Sequence, residues 1–292
     1  MSNTAVTPGQ HDEAAPRAMR ASRHWLAVAG VVLVVVSLVP PVATFARRYV
    51  FVESIQFVLF AMVAPALIVL GAPWRFLRLS QAEGGTAAAA PADGAARTAP
   101  VGTGPLDRLA AARQRQRSFP RAAAVLVVFF GVCLVWRLPP AVDALARHPL
   151  LAAAELVTLL AAGIGLWLEL VASPPLAPRL PNPQRAAIAA LAMWSTWAVA
   201  YALGFASHGV FHAYDAAGGG LSAVADQQIT VGLVWAVSAF CFVPVVFVTM
   251  LAWLAGNDDP DEELQRLSRD GRQRAVVRGW DRRPRSPRAP SP

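Results

Sequence analysis

The sequence predicts an all-α integral membrane protein, a polytopic bundle of six transmembrane helices. Three observations point there. Of 292 residues, 55% are apolar and 15% charged, where a soluble domain carries about a quarter charged residues. The apolar residues are gathered into uncharged blocks of roughly the length needed to cross a ~30 Å hydrocarbon core. The basic residues, all of them Arg with no Lys, are concentrated in alternate connections between those blocks.

Residues 1–24 are polar and Pro/Ala-rich and read as a disordered N-terminus ending in Arg17, Arg20 and Arg23. The membrane domain is expected over 25–256. Its first span, 25–46, carries Pro40-Pro41 in its second half, and prolines there remove helix donors and kink or end the helix. Arg47 and Arg48 form a short turn into the second span, 49–73, with Glu53 near its start and Pro65 inside. Residues 74–121 form a low-complexity Ala/Gly/Pro/Arg connection that cannot bury a core, although 106–116 could fold as an interfacial amphipathic helix. The third span has fifteen uncharged residues between Arg121 and Arg137, so both arginines must snorkel, with Trp136 at the interface. The fourth span, 149–171, contains Glu155 and Glu169. The fifth, 186–207, and the sixth, 227–256, are uncharged. The tail, 257–292, is Arg-rich and polar, with a short helix expected near 262–269.

Orientation follows from the arginines. With the N-terminus inside, three lie before the first span, eight in 74–121, two in 172–185 and nine in the tail, which places 22 of 26 inside. Only Arg47, Arg48, Arg137 and Arg147 fall outside. Cytoplasmic segments carry this excess, so both termini are expected in the cytoplasm. The same rule accounts for the net charge of +8 by contact with the lipid bilayer rather than nucleic acid. The N-terminus does not read as a cleavable signal, since the apolar run that follows it is longer than an h-region. Cys133 and Cys241 stand far apart inside apolar segments, and no CxxC pair suggests a disulfide or thiolate metal site.

Polar residues gather toward the outer side. Glu53 and Gln56 share a face of the second span. His148 and Glu155, seven residues apart, share a face of the fourth. His208 and His212 lie four apart in the third outer loop, before Tyr214, Asp215 and the run Asp226-Gln227-Gln228. Imidazole and carboxylate ligands in this number suit Cu(II) or Zn, making His148, His208, His212, Glu53, Glu155 and Asp226 candidate metal ligands. The plainer reading makes them caps, interface residues and wetted loop residues. No Gly-rich phosphate loop, no HExxH and no Ser/His/Asp set is legible, so no enzymatic activity is expected.

The second span reads ESIQFVLFAMVAPALIVLGAP, the third continues into WRLPPAVDALARHPLLAAAELVTLLAAGIGLWLEL, and the sixth opens with ADQQITVGLVW. Val63-Ala64-Pro65, Leu70-Gly71-Ala72-Pro73, Trp136 with Leu138-Pro139, His148-Pro149, and Asp226-Gln227-Gln228 with Gly232 and Trp235 occur in the order seen in the CtaG family of bacterial cytochrome c oxidase assembly factors. The chain resembles that family from about residue 50 to 240. The resemblance implies a role in haem–copper oxidase biogenesis, oxidase subunits or a copper chaperone as partners, and copper as the metal handled on the outer side. The chain also departs from the family's pattern. The family's His-Met-x-x-His places its histidines at Glu53 and Phe57, its Trp-His-x-Pro becomes Trp136-Arg137-Leu138-Pro139, and its paired histidines of span four fall on Ala152 and Leu156. Phe, Leu and Ala cannot ligate a metal. Two other readings stay open: a metal-free scaffold or accessory subunit of a membrane complex, and a small-solute or ion permease relaying protons through Glu53 and Glu155.

Overall fold

The computed structural model describes residues 11–74, 108, 112–113, 118–173, 176, 178, 180–206, 208–214 and 221–256, with side chains from residue 24 onward. The expected helices at 106–116 and 262–269 and the expected disorder of the loop and tail lie wholly or largely outside these residues. Among the described residues the architecture is all-helical, without strands apart from one isolated bridge, Ser173 to Leu176. In chain order the helices are α1 (His11–Leu38), α2 (Val42–Ala46), α3 (Val50–Gly71), α4 (Phe119–Arg137), α5 (Pro139–Arg147), α6 (Pro149–Leu170), α7 (Asn182–Gly204) and α8 (Ala223–Leu254). Five of these, α3, α4, α6, α7 and α8, are long and apolar enough to cross a membrane.

The beginning of the chain departs from expectation. Helix α1 starts at His11, ahead of the expected disorder boundary at residue 24. The run AAPRAMRA is rich in Ala, Arg and Met, strong helix formers, and the helix extends back through polar sequence although Pro16, a poor helix former, stands within it. Its apolar part, His24–Leu38, is shorter than the other spans. At 1.5 Å per residue it covers about 22 Å, less than the ~30 Å core. Pro40 and Pro41 then break it, and α2 resumes from Val42.

Helix α3 is central. In its apolar window 61% is buried, against 17% in α4 and in α8. Its ladder widens to a π-helical turn over Leu59–Val63, where the Ala64 N–H donates to Leu59 O. The cause lies just beyond. Pro65 has no N–H and, in a regular α-helix, its ring would press on the Ala61 carbonyl. The wider turn accommodates the proline without ending the helix.

Small residues bring neighbouring helices onto α3, as close packing in membranes requires. A methyl on Gly71 would fall 2.4 Å from the Ala27 nitrogen of α1, and one on Gly163 of α6 would fall 2.4 Å from Ala61 O. On the other side of the bundle, Trp167 of α6 stacks on Phe242 of α8 with ring centroids 5.7 Å apart. Helices α7 and α8 are joined by Trp197, which stacks on Trp235 at 5.2 Å and donates Nε1–H to Ser238 Oγ at 2.8 Å. Phe129, Leu159, Leu166 and Ile188 complete a fully buried core.

Candidate functional site

The starts of α3 and α6 and the end of α4 meet at one end of the bundle, and they bring acids and one arginine together. Glu53 stands in the first turn of α3 and is buried. Arg137, the last residue of α4, is also buried, at 3% exposure. It does not snorkel as the sequence suggests. Its Nη2 forms a short ion pair with Glu53 Oε1, and its Nη1 donates to Ser54 Oγ at 2.7 Å. The guanidinium lies over the Phe57 ring, 4.0 Å from its centroid, a geometry that adds cation–π attraction in a desolvated site. Glu155, one and a half turns into α6, is within electrostatic reach of both Glu53 and Arg137. Its Oε1 is buried without a hydrogen-bond partner.

Asp226 has a different task. The sequence places it where an N-cap of the last span belongs, but that helix starts earlier, with Ser222 Oγ accepting from the Ala225 N–H at 3.2 Å. The Asp226 carboxylate instead reaches across to α3, accepting from the Val50 N–H at 2.9 Å and the Phe51 N–H at 2.8 Å. Tyr49, the N-cap of α3, provides no side-chain cap. First-turn amides lack intrahelical partners, and a carboxylate there also meets the positive end of the helix dipole. Asp226 therefore caps α3 from another helix.

The neighbouring Gln227 pins the loop above. Its Nε2 donates to Leu203 O at 2.7 Å, and its Oε1 accepts from the Val210 N–H at 3.0 Å. Asp143 of α5 accepts from the Ala213 N–H at 2.9 Å, and His212 Nδ1 stands 3.8 Å from its other oxygen. Phe211 and Tyr214 fold down onto Val50 and Val142 as a small buried cluster. Burial, and after it the Glu53 carboxylate, pushes the Tyr214 phenol above its ordinary range.

The candidate metal ligands are thus divided. Glu53 and Glu155 share one buried cluster with Arg137, and Asp226 lies beside it, bound to backbone. His148, His208 and His212 are exposed. Among the described residues no group of three or more His, Cys, Asp or Glu comes together as a metal-ion site. Among the described residues the buried carboxylates face a guanidinium and backbone amides while the three imidazoles are exposed, an arrangement that does not fit a copper site. Sequence reasoning missed Arg137, Ser54 and Asp143. Two acids within spans were a signal for the first, since an ionisable group in a membrane segment defaults to having a partner.

At the opposite end the polar groups also pair inward. Arg113 Nη2 donates to Glu169 Oε1 and Leu168 O at 3.0 and 3.1 Å. Arg185 donates to Leu170 O from Nε and Nη2, and to Asn182 Oδ1 from Nη1. Ser173 Oγ bonds to Val69 O.

Searches of curated proteins and of solved structures return no match. A sequence model of the family described as cytochrome c oxidase caa3 assembly factor, or CtaG, does match, over residues 5–256. That stretch takes in every span and both polar ends of the bundle, so the chain belongs to the CtaG family of cytochrome c oxidase assembly factors.

Proposed function

We propose that the protein serves the biogenesis of a respiratory cytochrome c oxidase as a helical membrane scaffold for oxidase subunits, without holding copper at the Glu53 end. Family membership supports the assembly role. The observation that carries the metal-free part is the Arg137 guanidinium, seated between Glu53 and Ser54 over Phe57. A cation fixed by the chain itself already neutralises the carboxylate that a metal would need. Any residual copper affinity rests on His148, His208 and His212, whose exposed imidazoles would give a weak and incomplete ligand set.

The test has two arms. Deleting the gene should lower the amount of assembled oxidase in membranes, and a His148→Ala, His208→Ala, His212→Ala triple variant should restore it as well as the wild type does. Purified in detergent and titrated with Cu(I) and Cu(II) against a competing chelator, the protein should retain no stoichiometric copper. Normal oxidase after deletion would end the assembly role. One tightly held copper per chain would end the metal-free reading while leaving that role in place.

We also infer a sixth crossing, made by the apolar part of α1 together with α2, and both termini in the cytoplasm of the bacterial plasma membrane. The 22 of 26 arginines on the inner side support this arrangement. Reporters active only in the periplasm should be silent when fused to either terminus. A bright C-terminal fusion beside a silent N-terminal one would leave an odd number of crossings and overturn the count.

A further inference from the structure

The cluster around Arg137 holds more acid than base. Glu53 and Glu155 are each 4% exposed, and their carboxyl groups stand within hydrogen-bonding distance of each other. Among the described residues, the cation that reaches both is Arg137. The other polar groups nearby do not alter that count. Asp226 of α8 binds the Val50 and Phe51 amides. Asp143 of α5 accepts from the Ala213 N–H and stands 3.8 Å from His212. Tyr214 presents a phenol from the loop, and Cys133 a thiol one turn before Arg137 on α4. His148, at the start of α6, is exposed. With both glutamates ionised, the cluster would keep one negative charge that no described group offsets.

The two acids are not equivalent. Glu53 Oε1 takes the guanidinium, while Ser54 Oγ, which accepts from Arg137, donates to Glu53 Oε2 at 3.3 Å. Both oxygens of Glu53 therefore act as acceptors, as in an ionised carboxylate. Glu155 differs. Its Oε1 is buried without a hydrogen-bond partner, which is costly for a carboxylate and much less so for the carbonyl oxygen of a neutral acid. A hydrogen bond between two carboxyl groups also requires a proton on one of them.

We propose that Glu53 and Glu155 hold one proton between them, carried on Glu155 and donated to the Glu53 carboxylate, as a proton-binding latch between α3 and α6. The neutral acid, the carboxylate and the guanidinium then sum to zero charge. Loss of the proton leaves two adjacent carboxylates against one guanidinium, and their repulsion drives the start of α6 away from α3. A native state that keeps a proton the unfolded chain releases loses stability as the pH rises. Nothing in the latch depends on the role in oxidase assembly.

The proton is read by infrared absorption of the purified full-length protein in detergent at neutral pH. A protonated carboxyl has its own C=O stretch, which shifts in heavy water. The wild type should show such a band that is missing from Glu155→Gln. It should also be missing from Glu53→Gln, where a lone acid beside the guanidinium ionises. The amide introduced by Glu155→Gln can still donate to Glu53, so this variant should unfold near the wild-type temperature at neutral pH. At alkaline pH the wild-type midpoint should fall by several degrees more than that of Glu155→Gln. Identical spectra for the wild type and Glu155→Gln would overturn the proposal, and a band that survives Glu53→Gln would overturn the sharing. A band that appears only after treatment with a chelator would put a metal cation in the proton's place and would also overturn it. Parallel alkaline destabilisation of the wild type and Glu155→Gln would overturn the latch.

Discussion

Arg137→Met is expected to destabilise the folded protein by about 3–5 kcal/mol, the range for removing one partner of a buried ion pair. The guanidinium is the only cation placed against Glu53 among the described contacts, and both side chains are almost fully buried. Without it, the neighbouring Glu53 and Glu155 carboxyls are left buried together with no cation, and Ser54 loses its donor. Glu53→Gln should cost less. It leaves a neutral amide that can still accept from Arg137, and Glu155 remains within reach of the guanidinium. The double variant Glu53→Leu, Arg137→Met should be more stable than Arg137→Met alone, because an apolar pair leaves less charge buried without a partner. Thermal unfolding midpoints of the four purified proteins in one detergent read the series. If Arg137→Met and Glu53→Gln are both neutral, the pair does not hold the α3–α4 contact and the account of this site is wrong.

The second large effect is expected at Gly163. An alanine there places a methyl 2.4 Å from Ala61 O and 2.6 Å from Pro65 Cγ. One obstacle is backbone and the other a proline ring, so neither can swing aside as a flexible side chain would. Helix α6 must retreat from α3, at about 1–3 kcal/mol for overpacking, and Gly163→Val should exceed Gly163→Ala. Gly165 is the control on the same helix. A methyl at Gly165 meets nothing nearer than Val125 Cγ1 at 3.7 Å, so Gly165→Ala should be neutral or slightly stabilising through helix propensity. The retreat has a second readout. It carries Glu155 away from Arg137, so Gly163→Val should weaken the response to Arg137→Met. Similar unfolding midpoints for Gly163→Ala and Gly165→Ala would refute the close packing.

The sequence made the long spans legible because a bilayer demands uninterrupted apolar length, a requirement that leaves little room for alternatives. Five spans appear with the expected order and approximate bounds. The first was the hardest to bound. Its helix runs back into polar residues, and its apolar part stops short at Pro40-Pro41, so neither end is marked by a change in hydropathy alone. The site was half legible. The gathering of Glu53, Glu155 and Asp226 at one end could be inferred from which spans begin there. What each carboxylate binds could not, because that depends on contacts between residues far apart in the chain, 84 positions for Glu53 with Arg137 and 176 for Asp226 with Val50. Arg137 was misread for a local reason. It follows an apolar run and precedes two prolines, the usual setting of an arginine that ends a span in the interface. Glu53, the first station of the proton relay that the sequence also allowed, is instead tied to that arginine.

The widened turn of α3 sets an angular phase between its two halves. In a helix of 3.6 residues per turn, one residue corresponds to about 100° of rotation. The Ala64–Gly71 half is indexed by its contacts with Ala27 and Gly163, and the Val50–Val58 half by Arg137 and Asp226. The extra residue within Leu59–Val63 lets both sets of neighbours be met by one rod. Removing a single residue there would keep the composition and hydropathy of the span almost unchanged. It would turn Glu53 and Phe57 by roughly a quarter of a revolution away from the guanidinium, so the ion pair depends on a count of residues as much as on their identity.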